Sequence, residues 1–213
     1  GLIFYSSCQK EEGQEIDFEP TLVNLNDFQS ISELQNNSIQ AYSHIQQINS
    51  WMYMPQAYMA IPANYEFISN NNSRLGGGDM YTFTWDYMGY SITYSYGLNG
   101  DQYTFNYTCY INGSLYYEMS GWQNVDGSAG AWEYNSYLSA LYESMGIEFD
   151  ENMDYEGNFE WTYVDSLFTF NYSFDFMDYL YEVNGNISPT LGEYYWYENN
   201  NLIYEATWDS VGG

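Results

Sequence analysis

Hydrophobic and polar residues alternate strictly over much of this chain. From 81 to 87 the odd positions are aromatic and the even positions are Thr or Asp, and the same alternation returns at 90–96 and 103–109. Period-two patterning is typical of strands that bury one face. Short segments rich in Asn, Gly and Asp separate these strands and have turn-forming composition. The pattern predicts about eleven antiparallel strands that are consecutive in space, in one curved sheet or a partly closed barrel.

A different periodicity precedes the strands. Between residues 26 and 54 apolar side chains recur at spacings of three and four, with Asn36-Asn37 as a point where two helices could meet. This spacing predicts a one-faced helix that packs on the sheet. The sole histidine, His44, falls outside the apolar stripe, and we expect it to be solvated. A second, short helix is predicted at 137–145, ending before Gly146.

One stretch of the chain occurs twice. Asn112–Trp122 reads Asn-Gly-Ser-Leu-Tyr-Tyr-Glu-Met-Ser-Gly-Trp, and Asn199–Trp208 reads Asn-Asn-Asn-Leu-Ile-Tyr-Glu-Ala-Thr-Trp. Fainter likenesses upstream of both indicate a duplicated β unit. We predict a single mainly β domain over 26–213. It comprises the helix 26–54, a first unit at 80–135, a short helix and acidic linker at 136–157, and a second unit at 158–213.

Charge excludes one class of partner. The 213 residues include 29 acidic and only two basic side chains, Lys10 and Arg74, for a formal net charge of −27. Binding a phosphate backbone requires Lys and Arg to displace counterions, so nucleic acid is excluded. Such a chain attracts cations instead. Its 22% aromatic content also excludes a disordered acidic tail.

The beginning of the sequence predicts the location of the protein in the cell. A short apolar run ends in Ser6-Ser7-Cys8, and Gln9-Lys10-Glu11-Glu12 follows. The first feature resembles the lipobox of bacterial lipoproteins, although Tyr5 stands where the family prefers Leu. The second is similar to the Lys-plus-acidic export signal of surface-exposed lipoproteins of the Bacteroidetes. The resemblance implies an acyl anchor on Cys8 and a place on the outer membrane, at the cell surface.

The resemblance divides the first 25 residues into two segments. Residues 1–8 are expected to be the end of a signal peptide, and 9–25 an acidic tether. The absence of an initial Met and the abrupt finish at Gly213 indicate that the natural chain extends beyond both ends. The other cysteine, Cys109, lies in line with an apolar strand face, which predicts a buried free thiol.

Two weaker sites are indicated. Asp150, Asn152 and Asp154 have the alternating oxygen spacing that begins a calcium loop, but later positions depart from the EF-hand pattern, so the alternatives are a looser Ca²⁺ site and a solvated linker. Asp165-Ser166-Leu167 and Asp209-Ser210-Val211 resemble the Asp-Ser/Thr-aliphatic sequence that Bacteroidetes O-glycosylate, which would make Ser166 and Ser210 glycan acceptors. No other cofactor is indicated.

Three functions fit these observations. The favoured one is a non-enzymatic cell-surface lipoprotein with a binding or structural accessory role, in which Tyr and Trp faces take a glycan or a partner protein. The second is a carrier of a lipid or other hydrophobic ligand, because a helix over a curved sheet resembles the half-barrel of periplasmic lipoprotein carriers. The third is a glycosidase that uses a pair of carboxylates.

Overall fold

The computed structural model describes residues 38–55, 64–72, 79–148, 153–177 and 179–209. Helix α1 spans Ile39–Met52 and begins where the Ser38 hydroxyl accepts a hydrogen bond from the Ala41 N–H at 3.2 Å. Such a cap satisfies one of the free donors of the first helical turn. The part of the predicted helix at 26–37 lies outside the described residues.

Eleven strands form one antiparallel sheet, in which each strand pairs with the next along the chain. They are β1 (Glu66–Asn72), β2 (Asp79–Tyr87), β3 (Tyr90–Asn99), β4 (Gln102–Ile111), β5 (Ser114–Asn124), β6 (Ala129–Ser136), β7 (Tyr155–Val164), β8 (Leu167–Phe176), β9 (Tyr179–Ile187), β10 (Leu191–Glu198) and β11 (Asn201–Asp209). Helix α2 (Leu138–Ser144) connects β6 to β7. The predicted mainly β meander is confirmed. The sheet is open, because no described pairing joins β11 to β1.

Four of the hairpins turn on two residues, both with positive φ. The pairs are Met88-Gly89, Asn112-Gly113, Asp165-Ser166 and Asn199-Asn200, with φ between 47° and 87°. A turn in which both residues have positive φ matches the twist of the flanking strands, and Asn and Gly adopt this left-handed conformation at low cost. Met88 and Ser166 are less usual at such positions.

One face of the sheet, the inner face, carries the core. Its fully buried side chains include Tyr94, Phe159, Phe168, Phe170, Tyr194, Met119 and Ile187. Helix α1 covers this face through the buried stripe Ala41, Ile45, Ile48 and Met52. Cys109 is buried there as a free thiol, as predicted, and its burial raises the thiol pKa to about 11.

The contact between α1 and the sheet is wider than this stripe. The Trp51 ring stacks on Tyr172 with centroids 4.6 Å apart, and the His44 ring stacks on Tyr194 at 4.2 Å. The Tyr194 hydroxyl donates to Gln47 Oε1 at 3.1 Å. The expectation of a solvated His44 is therefore wrong: the imidazole is half-buried between the helix and the strands β10 and β11.

Glycines on the inner face make room for aromatic rings. Five of them lie directly opposite an aromatic residue of the adjacent strand, in the pairs Phe105 and Gly121, Trp161 and Gly130, Tyr134 and Gly157, Phe170 and Gly185, and Trp208 and Gly192. In four of the pairs the ring occupies the space that a Cβ on the glycine would take, while at Gly185 the backbone carbonyl of Glu193 occupies it and the Phe170 ring lies next to it. A large ring can thus lie flat on its neighbour, which suits an aromatic-rich core.

The repeated block corresponds to a repeated local structure. In both copies a turn of two residues with positive φ leads into a strand. The third residue after each turn forms a β-bulge: Tyr116 in β5 and Ile203 in β11. A bulge adds one residue and increases local twist. The copies occupy different places, since β5 is the fourth strand of the first predicted unit and β11 the fifth of the second. The duplication of a whole unit stays a prediction.

Candidate functional site

The other face of the sheet, the outer face, presents rows of hydroxyl, amide and carboxylate side chains. One row runs across eight strands as Thr82, Ser95, Asn106, Ser120, Glu133, Asn158, Ser173 and Glu182. Neighbours within it are hydrogen-bonded: Ser120 donates to Glu133 at 3.0 Å, and Asn158 to Ser173 at 2.8 Å. Side chains of this row thus hold one another in place through hydrogen bonds between neighbouring strands.

A concave region on this face, which we call the outer groove, has a volume of about 570 Å³. Its outer-face side chains come from strands β4 to β7: Thr104, Asn106, Ser120, Trp122, Ala131, Glu133, Asn158 and Glu160. The volume lies within the ~300 to 1,000 Å³ usual for small-molecule sites. The sheet therefore offers a groove large enough for a few sugar rings.

Trp122 is the large aromatic residue of this groove. It is half-buried, and its neighbours across the strands are the small residues Thr104 and Ala131. Neighbours of this size cover less of the indole than large side chains would.

Trp122 is on the outer face because of one extra residue. Its counterpart in the second copy of the repeated block, Trp208, is buried at 3% exposure in the inner face. Five positions separate Trp122 from Tyr117, whereas four separate Trp208 from Tyr204, and both tyrosines belong to the inner side. Because side chains alternate with period two, the odd spacing moves Trp122 to the opposite face.

Electrostatics add a preference. Glu133 and Glu160 border the outer groove, and both are exposed. Neither lysine nor arginine occurs among the described residues, since Lys10 and Arg74 lie outside the described ranges. The groove is consequently negative, which favours neutral or cationic ligands over anionic ones.

A second concave region, of about 530 Å³, lies at the ends of β6 to β9, between Tyr137 at the start of α2 and Asn199 in the last turn. Here the Tyr137 hydroxyl donates to Glu118 Oε1 at 2.8 Å, and Asn135 donates to the same oxygen at 3.0 Å. The bond to Glu118 raises the Tyr137 pKa to about 12, so the phenol stays protonated near neutral pH. These contacts tie the polar groups to one another.

The carboxylates of the outer groove are open to solvent. Glu133 and Glu160 both line the groove, and both side chains are exposed. A glycosidase in this groove would have to use such exposed carboxylates.

The inner face is packed with aromatic rings around strands β6 to β8. Ring contacts run from Trp132 to Phe159 at 5.6 Å and from Phe159 to Phe170 at 6.4 Å. Both Phe159 and Phe170 are almost completely buried, and Trp51 of α1 lies over Phe159 with ring centroids 6.5 Å apart. The protein's own side chains therefore fill this part of the inner face.

Only one of the three predicted calcium residues, Asp154, lies among the described residues. Asp150 and Asn152 lie outside the described residues, while both carboxylate oxygens of Asp154 accept hydrogen bonds from Ser139, one from the backbone N–H and one from the hydroxyl, each at 3.0 Å. Ser139 is in the first turn of α2, so Asp154 caps that helix from a distant position. Within the described ranges no group of three His, Cys, Asp or Glu side chains is arranged to hold a metal.

The remaining predicted sites are only partly described. Ser166 is exposed in the hairpin turn between β7 and β8, a position open to modifying enzymes. Ser210 lies outside the described residues, as do Cys8 and the sorting signal Gln9, Lys10, Glu11 and Glu12. No helix in the described part of the chain combines the length and apolarity that a membrane crossing requires.

Sequence reasoning placed Trp122 in a repeated strand but did not recognise its side of the sheet. The signal was present in the odd spacing between Tyr117 and Trp122, over which the pairing of β5 with β4 continues without a bulge. The hydrogen bonds of Asp154 to α2 had no sequence signal, because the partners are fifteen residues apart. The chain matches no protein-family model, no curated protein and no solved structure.

Proposed function

We propose that this chain is a non-enzymatic, cell-surface binding protein whose outer groove takes a neutral or amino-bearing glycan. The observation that carries the proposal is the position of Trp122, an aromatic ring among the hydroxyl, amide and carboxylate side chains of the outer groove. Sugar rings have apolar C–H faces and polar edges. An indole can stack on the former while hydroxyl, amide and carboxylate groups bond to the latter.

The neighbours of Trp122 suit this role. Asn106, Asn158 and Glu133 can accept hydrogen bonds from sugar hydroxyls, and the two asparagines can also donate. The bond from Ser120 holds the Glu133 carboxylate in place before any ligand arrives. A site ordered in advance loses less entropy on binding.

Charge narrows the ligand class. The carboxylates Glu133 and Glu160 repel uronic acids and sulfated sugars, whereas an ammonium group on an amino sugar would be attracted. We therefore place neutral and amino-bearing glycans ahead of anionic ones.

The location at the cell surface is supported by the sequence alone. Ser6-Ser7-Cys8 followed by Gln9-Lys10-Glu11-Glu12 resembles the anchor and export signal of surface lipoproteins. An acylated Cys8 would hold the protein at the membrane. Intact-mass measurement of the native protein would detect both this lipid and any glycan on Ser166 or Ser210.

A glycan array followed by calorimetry tests the binding role. Trp122→Ala should weaken binding of the best neutral or amino-bearing glycan by at least about tenfold, because the stacking surface is lost. Tyr110→Ala is the matched control: Tyr110 is an exposed aromatic residue of β4, further along the strand than Thr104 and Asn106. Equal affinities for the two variants, or a preference for anionic glycans, would contradict the proposal.

A further inference from the structure

Strand β11 is the last strand of the described sheet. One of its edges pairs with β10, and no described strand pairs with the other. Edges of this kind are usually shortened, or protected by Lys, Pro or a covering element. β11 is nine residues long and contains neither Lys nor Pro. Its apolar residues Leu202, Ile203 and Tyr204 are 48%, 53% and 38% exposed.

The two sides of this edge differ in chemistry. On the inner side Tyr204 and Ala206 precede the buried Trp208. On the outer side are Glu205 and Asp209, and Glu193 lies opposite Thr207 on β10. A strand laid against β11 would therefore contact apolar groups on one side and carboxylates on the other.

Two carboxylates on the outer side of the sheet, those of Glu193 and Glu205, lie next to Tyr195. Glu205 lies directly across from Tyr195, and Glu193 precedes it by two residues on the same face. The negative charge of Glu193, followed by that of Glu205, raises the Tyr195 pKa. A lysine or arginine side chain at this place would meet two carboxylates and an aromatic ring.

We infer that the β11 edge binds an extended segment of a partner protein in which basic residues alternate with apolar ones. Main-chain hydrogen bonds to the edge supply the affinity of such strand addition, and alternate side chains supply the specificity. The basic residues lie beside Glu205 and Asp209, and the apolar residues lie beside Tyr204 and Ala206. The complementary charge follows from the carboxylates on the outer side.

A second copy of this chain fits the same edge poorly. Each copy carries a formal charge of −27, and the described residues offer no lysine or arginine to neutralise Glu205 or Asp209 across an interface. Pairing two β11 edges would bring like charges together, which is unfavourable and suppresses such an interface. The charge thus selects a basic partner over self-association.

This inference is independent of the proposed glycan site. The outer groove is built on β4 to β7, and β11 lies four strands beyond β7 in the sheet. A protein that lost one activity could retain the other.

Peptide binding to the full chain tests the inference. The probe is a peptide of about nine residues, the length of β11, that alternates Lys and Val. The same residues arranged as a Lys block and a Val block give a control with equal charge, and an alternating Glu and Val peptide reverses the charge. We expect the alternating Lys peptide to bind and to slow amide exchange in β11, with both controls at least about tenfold weaker.

A pair of variants separates local charge from total charge. Glu205→Lys should weaken the alternating peptide at least about tenfold, because it places like charges side by side. Glu143→Lys makes the same change on the exposed surface of α2 and should leave binding within about twofold. Either equal losses in both variants or equal binding of the block peptide would show nonspecific attraction and overturn the inference. So would a Kd above about 1 mM, or a homodimer in sedimentation that buries β11.

Discussion

The phenol ring of Tyr134 lies against the backbone of Gly157, its partner across strands β6 and β7. A Cβ added to Gly157 would lie 2.8 Å from two atoms of that ring and from the hydroxyl oxygen. The Tyr134 hydroxyl is also hydrogen-bonded to Tyr172 at 3.1 Å, which limits how far the ring can move. Rings fill the corresponding space at Gly121, Gly130 and Gly192, so the arrangement recurs through this core.

Substitution of this glycine should be costly. We expect Gly157→Ala to lower the free energy of unfolding by about 1–3 kcal/mol, because the ring has no free space to move into. In a Tyr134→Leu background the same substitution should cost at least about 1 kcal/mol less. Chemical denaturation of the four proteins in the cycle measures this coupling. Additive effects would mean that the ring can yield without strain.

The turn between β7 and β8 offers a stabilising change. Asp165 and Ser166 have φ of 50° and 65°, a conformation that costs an ordinary residue roughly 1 kcal/mol. Ser166→Gly should therefore raise the free energy of unfolding by about 0.5–1 kcal/mol. Ser188→Gly, outside a positive-φ turn, is the control and should give no such gain. A destabilised Ser166→Gly protein would refute this explanation of the turn.

The stability of the protein should depend on pH through His44. Burial lowers the His44 pKa below its usual 6.5, so near pH 6 the unfolded chain binds a proton there more readily than the folded protein does. Stability is then fully present above about pH 6.5 and decreases as the pH falls through that value. Denaturation between about pH 7.5 and 5.5 should show this slope.

The matching variant is His44→Asn. His44 is the only histidine, and the unperturbed carboxyl pKa values near 4 lie below this window. The variant should be less stable at pH 7.5, since it loses the stacking on Tyr194 and the contact with the Tyr204 hydroxyl at 3.1 Å. Its stability should change less between pH 7.5 and 5.5. An unchanged slope would assign the pH dependence to other groups.

The hydrogen bonds of Asp154 predict a local loss of stability. Asp154→Ala should cost about 1 kcal/mol, because the Ser139 N–H and hydroxyl lose their acceptors at the start of α2. The cost should be the same in EDTA and in millimolar Ca²⁺. Thermal unfolding of this variant and of Asp150→Ala under both conditions measures it. A loss that appears only with Ca²⁺ would assign Asp154 to a metal site instead.

Period-two alternation predicted the strands because it reports directly which face of a sheet is buried, and the turn residues marked where each strand ends. The inner position of His44 could not be predicted in this way. A helical stripe identifies the centre of the buried face, whereas the width of that face depends on how far the sheet extends on either side. Trp51 and His44 flank the stripe and both reach aromatic rings of the sheet. The side of Trp122 depended similarly on a single inserted residue.

The strand order has a consequence for how the chain folds. Every described strand pairs only with its neighbours in sequence, so the sheet has low contact order for an all-β protein. Closing such short loops costs little entropy, and pairing can begin at any hairpin and spread in both directions. We therefore expect folding to be faster than in sandwiches of similar size. A sheet of this kind can also gain or lose a terminal hairpin while the connections among the other strands stay the same.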